Sequence, residues 1–232
     1  MTKFVTIYGE RCSGTNYLEA LLTSNYDVDV CWKYGWKHFF GFTDLSNSDD
    51  TLFIGIIRNP YDWINSLYRE QHHLPKHFRN IDNFLNAEFY SRDASGNEIM
   101  SDRNIYTKER YKNIFEMRTT KFKFLTEAMP SLVKNYLLIT YDDLLNTFNN
   151  TINKIKDKGL IVKSGINYPV NIEYYKKKKH IKFEKNNKIN YISSDKIINR
   201  LNMQQERNLF KIKHNTESRP NPSIRPMTLI RF

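Results

Sequence analysis

Gly9-Glu10-Arg11-Cys12-Ser13-Gly14-Thr15-Asn16 sits between an apolar β run (Phe4, Val5, Ile7) and an amphipathic stretch that opens with Tyr17-Leu18. A strand that turns through glycine into a helix gathers several backbone N–H groups and the positive end of a helix dipole at one point. That arrangement holds a phosphate. A second segment, Ile56-Ile57-Arg58-Asn59-Pro60-Tyr61-Asp62 running on to Ser66, has its own anion chemistry. Arg58 leaves the end of an apolar run, Pro60 and Asp62 suit the first turn of a helix, and Ser66 lies two turns further on. An arginine fork with a hydroxyl suits a terminal phosphate.

The missing residues narrow the ligand. Gly9 and Gly14 have the G-x-x-x-x-G spacing of a nucleoside-triphosphate loop, but Thr15-Asn16 follows where such a loop has Lys and then Ser or Thr. The lysine for the β- and γ-phosphates and the hydroxyl for Mg²⁺ are both lacking. A loop for an isolated 5′-phosphate, without metal, fits better than one for a kinase.

Gly9-x-x-x-Ser13-Gly14-Thr15 resembles the 5′-phosphosulfate loop of sulfotransferases that use PAPS (3′-phosphoadenosine 5′-phosphosulfate). Arg58-Asn59-Pro60-x-Asp62-x-x-x-Ser66 resembles the same family's 3′-phosphate motif. Leu137-Leu138-Ile139-Thr140-Tyr141-Asp142-Asp143-Leu144 is similar to the strand and turn that follow its central helices. The three segments come in family order and span roughly residues 4–157. The resemblance implies an α/β fold with a central parallel sheet flanked by helices, and transfer of a sulfonate from PAPS to a hydroxyl or amine acceptor, leaving PAP. It implies nucleotide contacts from Arg11, Cys12, Ser13, Gly14, Thr15, Asn16, Arg58 and Ser66, and no metal. A P-loop kinase-like phosphotransferase and an inactive nucleotide- or polyanion-binding module are the alternatives.

Such chemistry needs a base for the acceptor and a cation at the sulfonate. His38, in Tyr34-Gly35-Trp36-Lys37-His38-Phe39-Phe40, is the candidate base, and its place before Arg58 resembles that of the family's catalytic histidine. In heparan-type members a catalytic glutamate sits two residues before His-Phe-Phe; here that position is Trp36. Packing within the aromatic cluster is the competing explanation for His38. Most members have Lys or Arg directly before Ser-Gly-Thr, where this chain has Cys12. The candidate replacements are Arg11 and Lys37. Cys12 reads as a small loop residue, with a thiol activated by the helix N-terminus as the alternative. His72-His73 lacks a carboxylate cluster and a shared helix face, so it is read as solvated rather than metal-binding.

With 36 Lys and Arg against 25 Asp and Glu, the formal charge is +11, which attracts anions. PAPS is anionic, and an acidic acceptor such as an anionic glycan would also be favoured. Nucleic acid is disfavoured for lack of a zinc, RNA-recognition or helix-turn-helix pattern. Two cysteines make no disulfide framework. No leader precedes the first strand and no apolar run approaches a membrane span, so the expectation is a cytoplasmic protein.

The elements that must position these residues are strands over 3–8, 28–32, 51–57 and 136–141, and helices over 15–24, 60–71 and 143–157. Residues 105–129 carry helical spacing through Tyr111, Phe115, Phe122 and Leu125. Residues 72–104 are polar with few periodic apolars and read as a lid or insertion over the site. Lys176–Lys179 is a basic run, taken as a solvated face with nucleotide contact as the alternative, and 194–213 reads as helix. One domain over 1–213 and an extended tail over 214–232 complete the expectation.

Overall fold

The computed structural model describes residues 2–40, 44–175, 181–182, 190–201 and 204–211. Lys176–Lys179 and the 214–232 tail lie outside them. The chain divides into two units, Met1–Asn202 and Met203–Phe232.

In the first unit four parallel strands pair in the order β2-β1-β3-β4: β1 (Phe4–Tyr8), β2 (Asp29–Val30), β3 (Thr51–Ile57) and β4 (Tyr136–Thr140). Helices flank this sheet, so the protein has the α/β class expected from its sequence. All seven residues of β3 are buried, the pattern of an inner parallel strand covered on both faces. Strand alternation then sorts the core. Val5, Ile7, Leu52, Ile54 and Ile56 pack with Leu18, Leu21 and Leu22 of α1 (Thr15–Asn25) and with Leu144, Ile152 and Ile155. The intervening Tyr8 and Phe53 meet an aromatic layer of Tyr34 and Phe40, and Phe40 stacks on Phe124.

α2 (Pro60–Arg69) follows β3, its Asn59 side chain accepting from the Tyr61 N–H at 3.0 Å. The polar-looking stretch after it contains a short helix, α3 (Ile81–Asn86), and several tight turns. Its apolar residues lack period, yet Leu74, Phe78, Phe84, Leu85 and Phe89 form a second core with Trp63, Ile64 and Leu67 of α2. Glu98 ties the end of this stretch to Arg103 (2.9 Å) and Arg110 (2.6 Å).

Helical spacing over 105–129 overshoots at its start. Tyr111 is a bridge partner of Phe89, and α4 (Ile114–Lys123) begins only where Asn113 accepts from the N–H groups of Phe115 and Glu116, both at 3.0 Å. A π turn (Phe124–Ala128) and the short α5 (Met129–Leu132) continue it. The expected 143–157 helix is two: α6 (Tyr141–Asn146) and α7 (Phe148–Lys156), with non-helical Thr147 between them. α6 starts early because the Thr140 hydroxyl accepts from Asp143 N–H at 2.9 Å. The short pair β5 (Tyr174–Tyr175) and β6 (Ile181–Lys182) is antiparallel. Instead of one helix over 194–213, α8 (Ser194–Ile198) ends in tight turns through Arg200 and Leu201. The second unit is described from residue 204 to 211 and contains α9 (Gln204–Leu209).

Candidate functional site

The glycine loop joins β1 to α1 and the arginine segment leaves β3, so both open at the carboxyl ends of adjacent parallel strands, where ligands of open α/β sheets collect. Gly14 is the N-cap of α1 with φ 94°, a conformation open to glycine at little cost, and a Cβ there would strike the Tyr141 ring. Cys12 takes a left-handed conformation as well, φ 65°, which gives the loop its tight shape.

Both phosphate-motif side chains converge on Cys12. Arg58 donates from Nη1 to the Cys12 carbonyl at 3.1 Å, with its guanidinium 5.0 Å from the Tyr141 ring centre. Ser66, buried on α2, lies beside the Cys12 thiol. Burial pushes that thiol up to about 11, with Ser66 and Arg58 opposing the rise. Cys12 is therefore a protonated loop residue at neutral pH rather than an activated thiol. Arg58 Nε and Ser13 Oγ are buried with no hydrogen-bond partner among the described residues. Buried polar groups are normally satisfied, which makes these two atoms candidates for contact with a ligand.

His38 is 8 % exposed and joined to the loop, with Nδ1 2.7 Å from the Gly9 carbonyl. A carbonyl only accepts, so Nδ1 carries the proton and Nε2 keeps its lone pair. Burial, aided by the positive charges of Arg11, Lys37 and Lys121, holds the imidazole well below its ordinary pKa, against the opposing effect of the Gly9 carbonyl. The ring also lies edge-on to Trp36 at 6.1 Å, the aromatic packing that the sequence offered as the competing explanation for this residue.

The two candidate cations differ. Lys37 is buried and engaged: Nζ bonds Asn16 Oδ1, sits 3.1 Å from Glu19 Oε2, and lies 5.2 and 5.4 Å from the Trp32 and Trp36 ring centres. Arg11 covers Phe39 at 5.4 Å and reaches Asp102 only at 3.6 Å, while its Nε and Nη2 lack hydrogen-bond partners among the described residues.

Sequence reasoning missed the buried charges beneath the site. Lys121 of α4 donates to the His38 carbonyl at 3.0 Å and to Asp102 Oδ1 at 2.6 Å. One turn earlier, Arg118 pairs with Glu10 and donates to the Arg58 carbonyl at 2.8 Å. Trp63 Nε1 donates to the Arg11 carbonyl at 3.0 Å, and Asp142 accepts from Asn59 N–H at 3.0 Å. The available signal was two cations three residues apart, on the face of α4 that also carries Phe115 and Phe122. Among the described residues, no group of three or more metal-type ligands occurs and no helix is long and apolar enough to cross a membrane.

No protein-family model matches the chain, and no curated protein matches it. Among solved structures it is similar to mouse sulfotransferase SULT7A1 complexed with PAP, at a TM-score of 0.40 and 15% identity. That match covers 70% of this chain and 61% of the other, so the chain spans about three fifths of the length of the structure it matches.

Proposed function

We propose that the protein is a PAPS-dependent sulfotransferase. The observation that carries this reading is the meeting of Arg58, Ser66 and the glycine loop at Cys12, with Arg58 Nε and Ser13 Oγ buried and unsatisfied beside it. These groups fit a nucleotide with two separate phosphates. The α1 N-terminus with Ser13, Gly14, Thr15 and Asn16 would hold the 5′-phosphosulfate, and Arg58 with Ser66 the 3′-phosphate. When bound, PAPS supplies an activated sulfonate. His38, neutral with a free Nε2, takes the proton of the acceptor hydroxyl. Arg11, with N–H groups to spare, supplies positive charge at the sulfonate oxygens, while Lys37 holds Asn16 and α1 in place.

The test is calorimetry with PAP in EDTA, followed by a screen of radiolabelled PAPS against glycans, phenols, tyrosyl peptides and lipids. PAP binding without Mg²⁺ and transfer to one acceptor class are expected. Binding of ATP only with Mg²⁺ would return the loop to phosphoryl transfer, and PAP binding without turnover on any acceptor would make it a binding module.

A further inference from the structure

Trp36 presents a large apolar surface, 44 % exposed, beside the buried His38 ring. It is held firmly: Trp32 lies 5.3 Å away and Phe39 6.5 Å away by ring centres, and the Lys37 ammonium sits 5.4 Å from its own ring centre. An indole braced in this way loses little conformational freedom when a ligand covers it, and exposed tryptophan next to a reactive group is a ready contact surface.

We propose that Trp36 is the acceptor platform and that the acceptor is a saccharide, whose pyranose ring lies on the exposed indole. This rests on the reading of His38 as the base. The choice of ring follows from exposure. Flat aryl ligands gain affinity from pockets that enclose most of their surface, whereas an indole open to solvent suits a ring with an apolar C–H face and hydroxyls that stay hydrated at its rim. The His38 ring centre lies 6.1 Å from that of Trp36, within the span of a pyranose resting about 4 Å above the indole, and transfer needs one of its hydroxyls within roughly 3 Å of Nε2.

The experiment is direct calorimetric binding, in the full chain without PAPS, of chitotetraose and of a hyaluronan tetrasaccharide, with 4-nitrophenol as the aryl probe. Trp36→Ala and the bulkier, non-aromatic Trp36→Leu should each weaken both saccharides about tenfold or more. Trp36→Tyr should stay within about threefold of wild type, and PAP affinity should hold in all three. The proposal is overturned by saccharide affinities unchanged in Trp36→Leu, by no saccharide binding to wild type, or by 4-nitrophenol being the one probe that depends on Trp36. Failure of the nucleotide reading shows separately as loss of PAP binding or turnover while Trp36-dependent saccharide binding persists.

Discussion

Replacing Lys121 by methionine tests whether the buried charges under the site act as one unit. Lys121 and Asp102 are about equally hidden, their side chains 4 and 3 % exposed, with Nζ 2.6 Å from Oδ1. Ser91 also donates to Asp102, and Arg11 stands at 3.6 Å. Taking away one member of such a pair leaves a buried charge without its nearest counterion, which typically costs about 3–5 kcal/mol. The His38 carbonyl loses its ammonium donor as well. Removing both charges, in Lys121→Met with Asp102→Asn, should cost no more than about 2 kcal/mol, since replacing a whole buried pair is often close to neutral. Urea unfolding of the three proteins at neutral pH reads both costs. A single-variant cost below about 1 kcal/mol, or a double variant no better than the single, would refute the reasoning.

Arg58→Ala should weaken PAP by about 2–4 kcal/mol and leave adenosine 5′-phosphosulfate far less affected, with Ser66→Ala costing about 1 kcal/mol; equal losses on both ligands in calorimetry would remove Arg58 from the 3′-phosphate. His38→Asn should lower kcat by about 10²–10⁴ at unchanged PAP affinity. Because burial holds His38 below its ordinary pKa, the wild-type rate should stay level through pH 6.5 and fall at lower pH, and a fall centred above 6.5 would contradict the buried ring. The same shift makes stability rise with pH between the folded value and about 6.5, where only the unfolded histidine is charged, and His38→Phe should flatten that slope in urea titrations. Glu98, drawn down to about 2 chiefly by Arg110, contributes stability above its unfolded value near 4.5 that is lost as pH falls towards 2; Glu98→Gln should abolish this acid dependence in thermal melts.

The legible parts of the sequence were those with local rules. β3 was readable to the residue because a strand buried on both faces is a continuous apolar run bounded by a charged residue. The glycine loop and α1 were readable because glycine, small hydroxyls and helical spacing follow one another. The second core was not readable, because Leu74, Phe78 and Phe89 are buried by turns and a bridge that impose no period. Tyr111 shows the same limit: it keeps helical spacing with Phe115, yet Asn113 fixes the helix start after it. Of the candidate site, the motifs marked Arg58, Ser66 and His38. Arg118 and Lys121 left only their three-residue spacing on the apolar face of α4 as a sign, and their partners Glu10 and Asp102 left none, because long-range ion pairing does not show in spacing along the chain.

Tyr141 gives the site an evolutionary constraint. Its ring fills the space that any side chain at position 14 would need, and it supports the Arg58 guanidinium from below. Positions 14, 58 and 141 lie beyond the ends of three separate strands, yet none can change size alone. Enlarging 14 demands a smaller 141, and a smaller 141 withdraws the surface under 58. Descendants of this chain should therefore alter the three together or keep all of them, so that drift elsewhere can erase most sequence likeness while this trio persists.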